Sequence, residues 1–231
     1  MSDATSDPMS DPHATPDASH GPTLPRLNEP APAFTATTTQ GRIALSDYRG
    51  HWVVLFSHPA DFTPVCTTEF LAFAREASAF EARGAKLIGL SIDSVHAHLA
   101  WLNDLEQMTG EEVPFPVIAD LDMKVSNTFG MIHPGASETA AVRAVFLIDP
   151  EGVLRGMLYY PLNVGRSIPE VLRFLDALQF SDAQAMSTPA DWTPGDPAIV
   201  KAPATMEEIR NDDPSKYHDY RRWYLRLNEA G

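Results

Sequence analysis

Beyond residue 50 the chain alternates between short apolar runs and segments whose apolar positions recur every third or fourth residue. Trp52-Val53-Val54-Leu55-Phe56-Ser57 is a continuous run of β-branched and aromatic side chains, the pattern of a strand buried on both faces of a sheet. Phe70, Phe73, Ala74, Ala77 and Phe80 then keep helical spacing as far as Gly84. One amphipathic helix is predicted there, with Cys66 to Glu69 in its first turn and the glycine as its cap. Residues 86–92 repeat the buried-strand pattern, and Val95, Leu99, Leu102, Leu105 and Met108 mark the apolar face of a second helix ending near Gly110. A short strand over 116–119 and a short helix over 122–129 follow. Residues 144–148 and 153–160, joined by the turn Asp149-Pro150-Glu151-Gly152, read as an antiparallel hairpin. Ile168, Val171, Leu172, Leu175 and Leu178 read as a last helix.

The order strand, helix, strand, helix, then hairpin and helix predicts an α/β fold: a thioredoxin-like mixed sheet flanked by helices. The two ends of the chain differ from this middle. Residues 1–24 are Ser, Asp, Pro, Ala, Thr and His with almost no large apolar side chain. They cannot bury enough surface to offset the entropy of ordering, so a disordered N-terminal tail is expected. Residues 25–180 then form the domain. Residues 181–231 turn Pro-, Asp- and Thr-rich, with aromatic islands at Trp192, Tyr217, Tyr220, Trp223 and Tyr224. They read as an extended C-terminal arm whose aromatic rings need a surface to pack on, such as a second subunit.

Charge narrows the partners. Seventeen Lys and Arg against 31 Asp and Glu leave a net charge of −14 over 231 residues, which repels phosphate backbones and anionic membrane surfaces. Nucleic acid and membrane are therefore not expected. No apolar run approaches the roughly 18 residues of a membrane span, and the start of the chain lacks the basic and apolar stretches of a secretory signal. A soluble, cytoplasmic protein is expected. The single cysteine excludes an internal disulfide and any Cys-x-x-Cys motif. His96 and His98 stand two apart on a predicted helix and face different ways, so no metal site is read there.

That single cysteine follows a buried strand and opens a helix. Its sulfur would sit among the unpaired amides of a helix N-terminus, at the positive end of the dipole, where a thiolate is favoured. The segment His58-Pro59-Ala60-Asp61-Phe62-Thr63-Pro64-Val65-Cys66-Thr67-Thr68-Glu69-Phe70 resembles the active-site loop of peroxiredoxins, a pattern of Pro, three residues, Thr or Ser, two residues, then Cys. The resemblance extends to Val142-Arg143-Ala144-Val145-Phe146-Leu147-Ile148-Asp149, to Tyr159-Tyr160-Pro161-Leu162 with Gly165-Arg166, and to Thr188-Pro189-Ala190-Asp191-Trp192. It covers about residues 25–228. A histidine directly before the active-site proline, His58 here, is similar to the one-cysteine class.

The resemblance implies a thiol peroxidase that needs no cofactor. Cys66 would be the peroxidatic nucleophile: its thiolate attacks one peroxide oxygen, the O–O bond breaks, and a sulfenic acid remains. Arg143 would sit beside the sulfur and donate hydrogen bonds to the peroxide oxygens. Thr63 would hydrogen-bond the thiolate or the peroxide while also capping the helix, and Pro59 would shield the sulfur from water. Glu69 would orient an arginine through its carboxylate, and Arg166 would be a second arginine near the site. His58 would donate to the thiolate, receive a proton, or serve only the structure.

With no second cysteine, the sulfenic acid must be reduced by an external thiol or a thioredoxin-like protein. The family also implies a homodimer built through a sheet edge and the C-terminal arm, and a decameric ring as the assembly such dimers form. Some one-cysteine members carry a lipase-type serine before the central strand. Arg49-Gly50-His51-Trp52 has histidine there, so a nucleophilic hydroxyl is missing. Two other uses of Cys66 compete with peroxide reduction. One is a hydrolase or transferase with Cys66 and His58 as nucleophile and base; the other is a non-catalytic redox sensor that oxidises once, or a chaperone-like binding module, on the same fold.

Overall fold

Two short strands that no apolar run marks, the threonine-rich β1 (Thr35–Thr38) and β2 (Gly41–Ala44), form the first hairpin among the described residues. The computed structural model describes residues 24–229, so the tail expected over 1–24 lies almost wholly outside the described residues. The buried runs then become strands as expected: β3 (Trp52–Ser57), β4 (Ala85–Ser91), β5 (Val117–Ala119), β6 (Arg143–Ile148) and β7 (Leu154–Tyr160). Between them stand α1 (Pro64–Arg75), α2 (Ala77–Ala82), α3 (Val95–Thr109) and α4 (Lys124–Thr128), and α5 (Ile168–Gln184) follows β7.

The strands make one seven-stranded sheet in the order β2-β1-β5-β4-β3-β6-β7. β3, β4 and β5 are mutually parallel, as short helical crossovers require, while β6 and β7 run antiparallel to the centre. Alternation along β3 divides the core. Val54 and Phe56 join Cys66, Phe70, Trp101 and the α5 residues on one face; Val53 and Leu55 join Val125, Phe129 and Phe146 on the other. The result is the thioredoxin-like mixed sheet flanked by helices, and it puts the ends of β3 and β6 at its middle, beside the start of α1.

Two helical expectations are corrected. The single helix drawn from Cys66 to Gly84 is two, because Glu76 (φ −92°, ψ 2°) leaves helical geometry and interrupts the ladder between α1 and α2. The apolar face of α3 is also displaced from the one expected. Leu99 and Met108 are 47% and 60% exposed, whereas His98, Trp101 and Leu105 are buried. Trp101 stacks close to Phe70 (4.7 Å between centroids) and to His58 (5.3 Å), and a large ring in that position buries more surface than the leucines would. Gly110, at φ 74°, ends α3 in the left-handed conformation that favours glycine.

The C-terminal segment is more than an extended arm. α5 runs through residue 180 to Gln184, and beyond it lie β8 (Ala198–Ile199), α6 (Met206–Arg210), β9 (Asp219–Arg222) and β10 (Leu225–Asn228). These three strands make a separate small sheet, β8-β10-β9. Trp192 packs on Phe180 of α5 and is buried within its own chain, while Trp223 and Tyr224, in the turn between β9 and β10, are 40% and 56% exposed.

Candidate active site

The loop from His58 to Thr63 carries the chain from the end of β3 to the start of α1. Thr63 occupies the N-cap position with extended backbone (φ −109°, ψ 145°), and Pro64 takes the first helical position, where its missing N–H loses nothing. Cys66 is therefore the third residue of the helix, in the turn whose amides lack intrahelical acceptors. Its side chain is wholly buried. The Thr63 hydroxyl donates to the Ala60 carbonyl (2.9 Å) and makes no bond to the helix amides, which leaves its oxygen lone pairs free. Pro59 lies half-buried beside His58.

Arg143, the first residue of β6, reaches the sulfur: its Nη1 stands 3.4 Å from Cys66 Sγ and 2.6 Å from Glu69 Oε2. Its Nε and Nη2 both donate to the Leu162 carbonyl, which fixes the plane of the guanidinium. Arg166 donates to both Glu69 oxygens from Nε (2.8 Å) and Nη2 (2.7 Å), and from Nη1 to the carbonyls of Ser57 and Ala144. The Arg166 amide adds a further bond to Glu69, so that carboxylate accepts four in all.

All three charged side chains are at most 3% exposed. Two guanidiniums against one carboxylate leave one positive charge unbalanced in a buried site, and an ionised sulfur at Cys66 brings the cluster to neutrality. The cluster holds a small anion or a thiolate at a single fixed point, and its donors are ready to receive charge on an oxygen attached there.

A second buried cluster lies on the same face of the sheet. Asp61 accepts from His58 Nε2 at 2.8 Å through one oxygen and from His98 Nδ1 at 2.8 Å through the other. His98 Nε2 faces the Ile118 carbonyl (3.1 Å), so both of its ring nitrogens meet acceptors, while His58 Nδ1 is buried without a partner among the described residues. The Asp61 amide donates to Asp93 Oδ2 (3.1 Å). Donor atoms of His58, Asp61 and His98 lie within 4.8 Å of one another, as in a metal site. The nitrogens that face Asp61, however, are used as hydrogen-bond donors to it, and an ion would need both of them unprotonated. Sequence reasoning placed His98 away from His96 but did not connect it to His58. Asp61 lies inside the loop motif, where the sequence pattern assigns it no role. The only signal was a histidine beside Trp101 in the helical repeat, and its partner was 37 residues away.

Burial opposes the charge of Glu69, but the Arg166 hydrogen bonds outweigh it and hold the carboxyl below the usual glutamate range. Asp61 is likewise held low, with burial overcome by the bonds from His58 and His98. Burial pushes the His58 imidazole down against the pull of Asp61. In each case the unfolded chain binds the proton more tightly. Each contribution is therefore complete above the unfolded pKa and is lost as pH falls through the folded one. The urea midpoint is expected to decline first below about pH 6.5, through His58, and more steeply below about pH 4.5, through the carboxylates. Glu69→Gln should flatten the second decline. A midpoint constant down to pH 3.5 would show that these carboxylates contribute nothing.

Comparison with known proteins gives one answer throughout. The AhpC/TSA family model matches residues 27–157, and the model for the C-terminal domain of 1-Cys peroxiredoxin matches residues 177–212. A protein named Peroxiredoxin 2 from Caldanaerobacter subterraneus is 54% identical over 187 residues, covering 81% of this chain and 85% of its own. A peroxiredoxin of Aquifex aeolicus is 52% identical over 197 residues, with 85% and 88% covered. Among solved structures, a mutant of the Peroxiredoxin 6 of Arenicola marina superposes with a TM-score of 0.78 at 36% identity, covering 89% of this chain and 98% of that one. A yeast mitochondrial 1-Cys peroxiredoxin, described for its thiol resolving mechanism via glutathione/thioredoxin systems, gives 0.77 at 38% identity, covering 89% and 100%.

Proposed function

Because the chain belongs to the AhpC/TSA family and is a thiol-dependent peroxidase of the peroxiredoxin kind, we propose that Cys66 reduces hydrogen peroxide and organic hydroperoxides and is recycled by an external thiol. The observation that carries this reading is the guanidinium of Arg143 at 3.4 Å from a buried sulfur, in a cluster one negative charge short of neutral. The thiolate attacks the nearer peroxide oxygen and the O–O bond breaks. Cys66 keeps that oxygen as a sulfenic acid, and the leaving alkoxide takes a proton and departs as alcohol or water. A thiol then displaces the hydroxyl as water to form a mixed disulfide, and a second thiol releases Cys66 and carries away the disulfide. The electrons come from the two thiols, so the cycle written this way needs no cofactor.

In this reading Arg143 and the Thr63 hydroxyl bind the peroxide, and Glu69 and Arg166 hold Arg143 in place. Pro59 keeps water from the sulfur, and His58 bonds Asp61 from the start of the loop. With one cysteine in the chain, the reductant is an external thiol or a thioredoxin-like protein. The outer edge of β7 beyond Leu154, which pairs with no named strand among the described residues, and the exposed Trp223 and Tyr224 fit a homodimer that assembles further into a decameric ring in the cytoplasm.

The test is rapid mixing of reduced enzyme with peroxide, with sulfenic acid trapped on Cys66. Arg143→Lys should slow oxidation about 100-fold, since one ammonium cannot reproduce donors fixed on both Leu162 and the peroxide. An Arg143→Lys protein as fast as the parent would remove Arg143 from the chemistry.

A further inference from the structure

Between its two ends, the loop that leads to Cys66 is hydrogen-bonded to its surroundings at one residue among the described residues. His58 is tied by its N–H to the Leu90 carbonyl (2.9 Å), and the Thr63 carbonyl accepts the Thr67 amide (3.0 Å). Between these two ties the main chain makes no backbone–backbone hydrogen bond among the described residues. Pro59 has no N–H to give, and the Ala60 carbonyl is bonded only from within the loop, by Thr63. Asp61 supplies the remaining polar ties. Its amide reaches Asp93 in the segment after β4, one carboxylate oxygen reaches His98 on α3, and the other reaches His58. The next residue, Phe62, is in the left-handed region (φ 55°) and 59% exposed, a conformation that a bulky side chain resists. A strained residue beside this hydrogen-bonded anchor describes a segment that would move if released. Cys66, in the first turn of the helix that follows the loop, is at 0% exposure, so a thiol reductant cannot touch the sulfur in this arrangement.

We propose that Asp61, held by His98, is the latch of this loop: the two are positioning residues that keep residues 58–63 seated over Cys66 and so set how readily an external thiol reaches the oxidised sulfur. Reductant access rests on the peroxidase reading above, but the latch itself does not. Asp61 is suited to the task because three separate elements converge on it, namely the end of β3, the segment after β4, and α3. The bonds to His58 and His98 are buried where water cannot replace them, and the bond to Asp93 is part-buried.

The experiment uses the full-length reduced protein and two maleimides that share one chemistry but differ in size, N-ethylmaleimide and a polyethylene-glycol maleimide. Their rate ratio at Cys66 reads access independently of the reactivity of the sulfur. Asp61→Ala should raise the relative rate of the bulky reagent at least tenfold and speed amide exchange in the peptide covering residues 58–65, with β4 unchanged. His98→Ala should do the same more weakly. His98→Asn, whose amide can donate from the position of Nδ1, should return the ratio toward that of the parent. In turnover, Asp61→Ala should slow oxidation by peroxide while quickening reduction of the oxidised enzyme, an opposed pair that general destabilisation does not produce. A folded Asp61→Ala protein with the parental ratio and exchange overturns the latch. Should that variant not fold, equal ratios for His98→Ala and His98→Asn overturn it instead. A parent protein that alkylates normally yet consumes no peroxide would overturn the peroxidase reading and leave the latch standing.

Discussion

Cys66→Ser is expected to reduce peroxide-dependent oxidation of a thiol donor at least a thousandfold (~10³), to the rate of donor and peroxide alone. The chain has one cysteine, so no other sulfur can take over the step. Serine matches the cysteine in shape, and the Nη1 of Arg143, now 3.4 Å from the sulfur, can donate to the new hydroxyl, so the buried polar atom finds a partner. The fold should therefore survive, and the loss will be chemical. The serine hydroxyl does not ionise near neutral pH even beside a guanidinium, and it cannot take an oxygen atom as sulfur does. The measurement is a coupled peroxide assay on Cys66→Ser and parent proteins matched by circular dichroism and urea midpoint. Turnover by the serine protein near the parental rate would move the chemistry elsewhere in the molecule.

The second large effect is on stability. Glu69→Ala is expected to destabilise the protein by about 3–5 kcal/mol, the usual consequence of stripping the counter-ion from a buried pair. Here one carboxylate serves two arginines, taking four bonds at 2.6 to 2.8 Å. Without it two guanidiniums remain in the interior with carbonyl oxygens and the Cys66 sulfur as partners and no carboxylate. Arg166 loses three bonds and keeps those to Ser57 and Ala144; Arg143 keeps its bonds to Leu162 but loses the contact that aims Nη1. Peroxide reactivity should fall about 10- to 100-fold in whatever fraction remains folded, because the donor beside the sulfur is no longer fixed. Urea unfolding at pH 7 reads the first quantity and rapid mixing with peroxide the second. A loss below about 1 kcal/mol would mean that water reaches these arginines and that the cluster is not the closed unit the distances describe.

The sequence pattern and the tertiary structure agree where the cause is local and part where it is not. Continuous runs such as Trp52–Ser57 and Arg143–Ile148 have no reading other than buried strands, and both are central in the sheet. The hairpin β1–β2 escaped because Thr-Ala-Thr-Thr and Gly-Arg-Ile-Ala bury little, and their strand state depends on β5, which β1 pairs with far along the chain. α3 was legible as a helix but not in its orientation, since leucine and tryptophan stripes both kept helical spacing. The choice between them was made by Phe70 and Asp61 on other elements.

By itself the sequence determined the strands, the helix that opens at Cys66 and the single thiol, because these follow from residue type and short spacing. Only the tertiary structure decided the charge balance at the sulfur and the anchoring of the loop. Glu69 meets Arg143 across 74 residues and Arg166 across 97, and Asp61 meets His98 across 37. The strength of each bond comes from the burial that folding imposes on it, and no window of sequence contains that quantity.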